Sequence, residues 1–349
     1  MIADVSFADS AIGNQCVDYR SIALARKYIG ETSRACIFLT PTVFMRLPHD
    51  SEGRVTTASF THFVNRKIEL ERANIQLQYY DMVGEGYLRE CDLENFVFEL
   101  VPTLRGLEAL TCEYIPFYVF TVVRKFMFFL DYGKRGRVSI TDILSSQLLA
   151  DLLDQRIGPQ RNWFSAESAL RVYNAYLSMD KDDNGMLSRS EVGKLPGTLL
   201  TQFVIDRLFQ ETVTYNGEMD FKGYLDLVLA IENRDSIPAI KYWWRLVQDL
   251  ETKNLTEAQM KLLIKSVIDT LVNRSFEGGP PPSYRVSDIF DEIHDMLGIV
   301  DGRDVTFDIL SKSKLASSVV AILTDAHAFY LYDNRESILL HAQQQNKDV

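Results

Sequence analysis

The sequence feature that most restricts the fold is one twelve-residue segment, DKDDNGMLSRSE, which begins at Asp180. Asp180, Asp182 and Asn184 take positions 1, 3 and 5 of a calcium-binding loop, and Glu191 closes it at position 12. Gly185 at position 6 permits the sharp turn that curls the oxygen ligands around one point. The spacing predicts a helix–loop–helix unit that binds Ca²⁺.

Two more ligands and two flanking helices complete this unit. Met186 offers its backbone carbonyl at position 7, and Ser188 can hold a bridging water at position 9. Ser165 can cap the preceding helix, and Pro196–Gly197 ends the following one. One ion is expected, in the sensor range of about 10⁻⁷ to 10⁻⁵ M, with a permanently filled structural ion as the alternative. The competing interpretation is an acidic surface turn without an ion.

The same spacing returns along the chain in degenerate copies, which indicates an internal repeat. These copies begin near Pro48, Asp81, Asp131, Thr214, Asp249 and Asp301. Each has lost ligands that calcium needs, so each is expected to keep the helix–loop–helix shape without binding an ion. Residues that break the pattern are Pro48 and Ser59 in the first copy, Val83 in the second, Gly133 and Arg135 in the third, Gly223 in the fourth, and Asn254 and Met260 in the fifth.

Helix–loop–helix units pair to bury the apolar faces of their helices. The expected fold is therefore all-α, an elongated array of paired modules with short β contacts between loops. Met219 is expected opposite Leu187 in one such contact. The expected division is an N-terminal helical segment at 1–34, a degenerate domain at 35–157, a domain with the calcium site at 158–336, and a tail at 337–349.

Composition excludes several classes of partner. The chain has 349 residues, is 46% hydrophobic and carries a net charge of −11. Without a basic stripe, nucleic acid is not an expected partner. No apolar stretch reaches the ~20 residues that cross a bilayer, and no signal peptide is recognisable, so a soluble intracellular protein without membrane insertion is expected. Scattered cysteines, expected to be buried and reduced, fit that compartment; they are Cys16, Cys36, Cys91 and Cys112.

No catalytic motif is present, and we expect no enzyme activity. The five histidines share no ligand spacing, and the chain lacks a Gly-rich phosphate loop and a nucleophile-elbow serine. An active site assembled from distant residues is the alternative. Two aromatic-rich segments, Phe117–Phe129 and Tyr242–Trp244, are expected to be mostly core, with the remainder available as interface anchors.

Four stretches together resemble the B″ class of regulatory subunits of protein phosphatase 2A, and most closely the branch of the FASS/tonneau proteins of plants and their animal counterparts. They are Tyr80–Leu104, Val123–Leu144, Asn162–Glu191 and Tyr215–Arg234. The resemblance runs from about residue 35 to 336. It includes the degenerate loops as well as the intact one, which makes it specific.

The resemblance implies a protein that is not itself catalytic and that consists of EF-hand domains. Such a protein docks on the HEAT-repeat scaffold and the catalytic subunit of the phosphatase, and it selects phosphoprotein substrates. Other B″ branches bind a second calcium ion after the Tyr–Trp pair, but here the loop Asp249–Met260 lacks the glycine and the last acid. One ion is therefore expected.

The branch is also associated with microtubule organisation. That implies a cytoplasmic protein with a cytoskeletal role, at the centrosome or basal body, with the nucleus as an alternative location. The alternative function is a free-standing EF-hand calcium sensor without a phosphatase partner. Partner-binding residues cannot be assigned from the sequence.

Overall fold

The computed structural model of the chain describes residues 15–30, 33–104, 106–107, 110–153, 162–273, 284–299 and 303–335. These residues form mostly helices, joined by three two-stranded sheets. The all-α class predicted from the sequence is confirmed. The chain divides into two compact units, Met1–Gly86 and Tyr87–Val349. The predicted boundary after residue 157 lies outside the described residues and stays a prediction.

The first unit is a helix–loop–helix module with one short sheet. Its elements are β1 (Cys16–Val17), α1 (Tyr19–Ile29), α2 (Pro41–Arg46), β2 (Val55–Thr56) and α3 (Thr57–Tyr80). Val55 is fully buried and pairs with Val17 of β1. In the loop between α2 and β2, the Arg54 guanidinium donates to the Asp50 carboxylate at 2.9 Å. The helix–loop–helix shape predicted for this first degenerate copy is confirmed.

The second unit contains the remaining helices and strands. Its strands are β3 (Tyr87–Arg89), β4 (Arg137–Ser139), β5 (Thr214–Tyr215) and β6 (Glu218–Met219). Its helices are α4 (Glu90–Leu100), α5 (Ile115–Leu130), α6 (Ile140–Ser145), α7 (Gln147–Leu153), α8 (Ala166–Met179), α9 (Arg189–Val192), α10 (Gln202–Glu211), α11 (Phe221–Glu232), α12 (Ile237–Val247), α13 (Glu257–Asn273), α14 (Val286–Leu297), α15 (Phe307–Lys312), α16 (Ala316–Thr324) and α17 (Ala326–Asp333).

Short antiparallel contacts join the loops of this unit in pairs. One is the β3–β4 sheet, and two of the three isolated bridges among the described residues of this unit are of the same kind. The paired residues are Leu88 with Val138, Leu187 with Met219, and Leu255 with Val305. All six side chains are buried. The predicted pairing of Leu187 with Met219 is thereby confirmed.

Aromatic side chains hold α5, α8 and α11 together. Ring centroids of Phe117, Tyr173, Phe221 and Tyr176 lie 4.2 to 5.6 Å from their neighbours. Such tilted and edge-to-face pairs add to the free energy of burial. On α12, Trp243 and Trp244 are 0% and 1% exposed, which confirms the prediction that these aromatic segments are mostly core.

The cysteines follow the sequence-based expectation only in part. All four are free thiols, but only Cys36 is buried, whereas Cys16, Cys91 and Cys112 are exposed. Cys16 lies in the short strand β1 and Cys91 in the first turn of α4, on sides of these elements that face solvent. None of the described helices combines the length and apolar character needed to cross a membrane.

Candidate functional site: an acidic loop between two helices

The loop between α8 and α9 takes the tight course that its sequence predicts. Ser165 begins α8 by accepting the Ser168 N–H at 3.1 Å. The chain then turns at Asp183 and Gly185, where φ is 54° and 78°. Glycine adopts this left-handed conformation without the clash that a Cβ would cause. The Tyr176 hydroxyl donates to the Gly185 carbonyl at 2.8 Å and so ties the turn back to α8.

Three acidic side chains converge inside this turn. Oxygen atoms of Asp180, Asp182 and Glu191 all lie within 4.8 Å of one another. Asp180 and Glu191 are only 5% and 7% exposed, whereas Asp182 is exposed. No second group of three His, Cys, Asp or Glu side chains converges in this way in the described part of the chain. Three carboxylates so close repel one another unless a cation or donor groups neutralise them.

Glu191 is held from both sides by hydrogen-bond donors. The Lys181 N–H donates to Oε1 at 2.7 Å, and the Ser188 N–H donates to Oε2 at 2.9 Å. These donors stabilise the carboxylate form and lower the pKa of Glu191, with the Lys181 N–H as the largest cause. Oε1, which accepts a single hydrogen bond, still has lone-pair capacity for a further partner.

The Ser188 hydroxyl has a role that the spacing alone does not predict. It donates to Glu191 Oε2 at 2.7 Å, while Ser188 also begins α9 as the first residue of a capping box with Glu191. The water-bridging role predicted for Ser188 is not tested by this arrangement. Its hydroxyl orients the closing carboxylate at the start of the second helix.

The other predicted ligands are arranged around Asp180. Its carboxylate accepts the Asn184 N–H at 3.2 Å and the Gly185 N–H at 2.8 Å. Asn184 Nδ2 donates to Asp182 at 3.0 Å, and Asn184 Oδ1 accepts the Met186 N–H at 2.7 Å. The structure therefore brings Asp180, Asp182 and Glu191 together and places Asn184 beside them.

One acidic residue beside the loop was missed by sequence reasoning. Glu218 lies in the β5–β6 hairpin and accepts a hydrogen bond from Asn184 Nδ2 at 3.1 Å. The hairpin reaches the loop because Leu187 and Met219 exchange two backbone hydrogen bonds, of 2.8 and 2.9 Å. The sequence contains one feature that could have predicted this proximity: Glu218 directly precedes Met219, the residue predicted to contact Leu187.

The partner hairpin has no room for a closing acid of its own. A Cβ built at Gly223 would lie 2.8 Å from side-chain carbons of both Met219 and Thr212. Real Cβ atoms do not approach other atoms so closely, so any larger residue would push the hairpin away from α11. This close packing gives a physical reason for the glycine at position 12 of the fourth copy.

In the degenerate loops, backbone N–H groups satisfy the first acid. Asp131 accepts the Arg135 and Gly136 N–H groups at 2.8 and 2.6 Å, while the Arg135 guanidinium lies 3.7 Å away. The Arg135 guanidinium is therefore a secondary contact of Asp131. Asp249 accepts the Glu251 and Thr252 N–H groups, both at 2.9 Å.

The donor set of the intact loop suits calcium. Its side chains offer only oxygen atoms, from three carboxylates, one amide and one hydroxyl. Hard cations such as Ca²⁺ take oxygen ligands, whereas Zn²⁺ and copper favour nitrogen and sulfur. The convergence of two nearly buried carboxylates with a third is the arrangement that a divalent cation would stabilise.

Comparison with known proteins gives a consistent set of relatives. No family model matches the chain. The gamma type of the B″ regulatory subunit of Homo sapiens serine/threonine-protein phosphatase 2A is 41% identical over 320 residues, which cover 89% of this chain and 69% of that protein. TON2 of Arabidopsis thaliana, described as a probable B″ regulatory subunit of the same phosphatase, is 30% identical over 354 residues, which cover 95% and 72%.

A solved structure has a related fold. It is described as a PP2A PR70 holoenzyme, with "diCa" in its description. The TM-score is 0.60 at 18% identity, and the match covers 69% of this chain and 91% of that chain. At this identity the likeness concerns the fold alone.

Proposed function

Because the chain belongs to the B″ family of regulatory subunits of serine/threonine-protein phosphatase 2A, we propose that it binds one calcium ion and targets the phosphatase to its substrates. The observation that carries the calcium part is the convergence of Asp180, Asp182 and Glu191 in a loop of the correct spacing. The relatives are named as regulatory subunits, and we propose that this chain supplies no catalytic group.

The ion would be held by the residues of the intact loop. The proposed ligands are the side chains of Asp180, Asp182, Asn184 and Glu191, the Met186 carbonyl, and Ser188 through a water. Calcium supplies the positive charge that offsets the mutual repulsion of the carboxylates. Asp180 follows α8 and Glu191 lies in α9, so drawing these two carboxylates toward one point fixes the direction of α8 relative to α9.

The hairpin beside the loop would carry this effect further. Leu187 and Met219 are fully buried and bonded to each other through the backbone. A shift of the loop must therefore move the hairpin that joins α10 to α11. The proposed output is the position of those helices, which can change a surface offered to another subunit or to a substrate.

The proposed partners are the HEAT-repeat scaffold and the catalytic subunit of the phosphatase, together with phosphoprotein substrates. Support comes from the names of the relatives and from the holoenzyme in which the related fold occurs. A free-standing calcium sensor is the alternative function, and none of the contacts among the described residues favours it.

Affinity purification of the full chain tests this function. The wild type is compared with Asp180→Asn in calcium and in chelator, and Asp249→Asn serves as the matched control because it changes position 1 of a broken loop. We expect the scaffold and catalytic subunits to copurify with the wild type and with the control. The amount recovered should depend on calcium only where Asp180 is intact. Absence of both phosphatase subunits in calcium and in chelator would establish the alternative.

We further propose a cytoplasmic location with a cytoskeletal role at the centrosome or basal body, and a nuclear pool as the alternative. Imaging of the tagged full chain with a microtubule marker tests it. A distribution without enrichment at microtubule-organising centres would contradict the cytoskeletal role.

A further inference from the structure

A cavity of about 410 Å³ lies in the second unit, apart from the calcium loop. Its walls come from the start of α4, from α5 and the loop after it, from the end of α10 and the strand β5 that follows, and from α11 and α12. Two of these walls are degenerate loops that have lost their calcium ligands. The volume falls in the range of pockets that bind small ligands or single side chains.

Half of the basic side chains on the cavity wall are already neutralised. Arg124 binds both oxygens of Asp226, at 3.0 and 2.6 Å, and Glu90 at 3.0 Å. Lys222 binds Glu94 at 2.6 Å and Glu90 at 3.0 Å. These bidentate and shared pairs form a fixed part of the wall.

The other two basic side chains, Lys134 and Arg245, have no carboxylate partner among the described residues. Lys134 Nζ reaches the backbone carbonyl of Glu211 at 3.4 Å, and Arg245 donates to the backbone carbonyl of Tyr132. Partial desolvation, followed by repulsion from Arg245, lowers the pKa of Lys134. Burial likewise lowers the pKa of Arg245. Glu211 and Asp226 attract both cations from a distance, but neither carboxylate forms an ion pair with them, so these two partly desolvated cations can still accept an anion between them.

A buried hydroxyl group points to the same kind of ligand. Tyr242 lines the cavity and is 8% exposed, and its hydroxyl oxygen has no hydrogen-bond partner within the described chain. Burial raises the pKa of this hydroxyl well above its usual value, so it remains a donor. Buried polar groups in folded proteins almost always have a partner, and an acceptor in the cavity would supply one.

The rim of the cavity resembles a protein-binding surface. Tyr132, Val213 and Tyr215 line it and are 47%, 70% and 52% exposed. Exposed tyrosines are common where one polypeptide anchors a side chain of another. We propose that the cavity receives one Asp or Glu carboxylate of a bound polypeptide, which accepts from Tyr242 and pairs with Lys134 and Arg245 while its apolar neighbours cover the rim.

The charge of the wall favours a carboxylate over a phosphoryl group. Four basic and five acidic side chains line the cavity. After the pairs made by Arg124 and Lys222, only Lys134 and Arg245 remain to attract an anion, and Asp131, Glu211 and Asp220 lie on the same wall. A singly charged group meets less repulsion there than a phosphoryl group, which carries nearly two negative charges at neutral pH.

Nuclear magnetic resonance on the full chain tests the proposal without calcium or phosphatase, so its outcome is separate from the function proposed above. Met127 lines the cavity, and its ¹³C-methyl resonance, assigned with Met127→Leu, is the reporter. The probes are phenylacetate, its neutral analogue phenylacetamide, and phenyl phosphate. We expect phenylacetate to shift the Met127 resonance saturably, with a dissociation constant of about a millimolar for so small a ligand.

Variants distinguish a binding role from a structural one. Tyr242→Phe should weaken phenylacetate about 10-fold, because a hydrogen bond to a charged acceptor is lost, while the melting temperature stays the same or rises. Lys134→Gln should also weaken binding. Lys241→Gln is the matched control on the same helix as Tyr242, since its ammonium lies over the Phe307 ring and not on the cavity.

Three results would overturn the proposal. An unmoved Met127 resonance with phenylacetate removes the site. Equal affinity for phenylacetate and phenylacetamide would show that the cavity binds the apolar ring and does not recognise the carboxylate. Tighter binding of phenyl phosphate would show that the preferred ligand is a phosphoryl group.

Discussion

The Glu191 side chain has two structural roles. It forms the capping box at the start of α9 together with Ser188, and it closes the acidic loop that begins at Asp180. Glu218 has a different position. Its carboxylate touches Asn184 from the neighbouring hairpin and is not among the three that converge. The two glutamates should therefore differ in how strongly each affects calcium affinity.

Glu191→Gln should weaken calcium binding about 100-fold or more, because a charged group with two ligand oxygens becomes an amide with one. Isothermal titration calorimetry on the full chain measures this, with a stoichiometry of one ion for the wild type. Asp249→Asn, in the broken fifth loop, should leave both affinity and stoichiometry unchanged. Unaltered affinity in Glu191→Gln would mean that the ion is held elsewhere.

Glu218→Gln should weaken calcium binding by a smaller factor, about 3- to 10-fold. The change removes a negative charge close to the loop and weakens the hydrogen bond that orients the Asn184 amide. Because the charge is near the surface, the effect should shrink as salt is added. Glu113→Gln removes the same charge from an exposed position and should have no effect; equal effects of both variants would argue against a specific role for Glu218.

Among the elements, α4, α5 and α11 meet at one charged side chain. Arg124 of α5 bonds Glu90 of α4 and Asp226 of α11, and the Arg124 and Asp226 side chains are 18% and 17% exposed. Arg89 and Asp92 form a second ion pair, in which the arginine is 67% exposed. The Arg124 network is largely buried and connects three helices, whereas the Arg89–Asp92 pair lies within the start of α4.

Arg124→Met should lower the free energy of unfolding by about 3 to 5 kcal/mol, because it leaves Asp226 without its counter-charge and Glu90 with Lys222 alone in a largely buried place. Urea denaturation measures the loss. The exposed pair provides the control, and Arg89→Met should cost less than about 1 kcal/mol. Similar losses for the two variants would show that burial of the Arg124 network contributes little.

For the molecule as a whole, the described helices fall into two units, and the acidic loop belongs to the second. The loop of the first unit is satisfied internally, since Arg54 and two backbone N–H groups bond Asp50. Calcium should therefore act on one part of the chain, through the contact between the loop and its hairpin.

Hydrogen exchange with and without calcium checks this expectation. An ion present at 100 times its dissociation constant adds about 2.7 kcal/mol to the stability of the state that binds it, or about 100-fold slower exchange where opening requires its release. We expect that slowing in residues 180–191 and 214–219, and none in residues 50–56. Uniform slowing across both units would contradict a local effect, and Asp180→Asn should abolish the slowing altogether.

The sequence by itself determined the helix–loop–helix repeat, the all-α class, the family resemblance and the buried pairing of Leu187 with Met219. These features depend on spacing within one or two neighbouring segments, where helix periodicity, capping and turn requirements act locally. The positions of the candidate calcium ligands could likewise be predicted from the sequence, because all of them lie in one twelve-residue turn.

The tertiary structure alone decided which distant groups meet. Glu218 reaches Asn184 across 34 residues of sequence, and Arg124 reaches Asp226 across 102. The cavity that leaves Tyr242 without a partner is assembled from five separate segments of chain. Such contacts depend on how helices pack, and packing is set by the sum of many small apolar contacts that no single local pattern records.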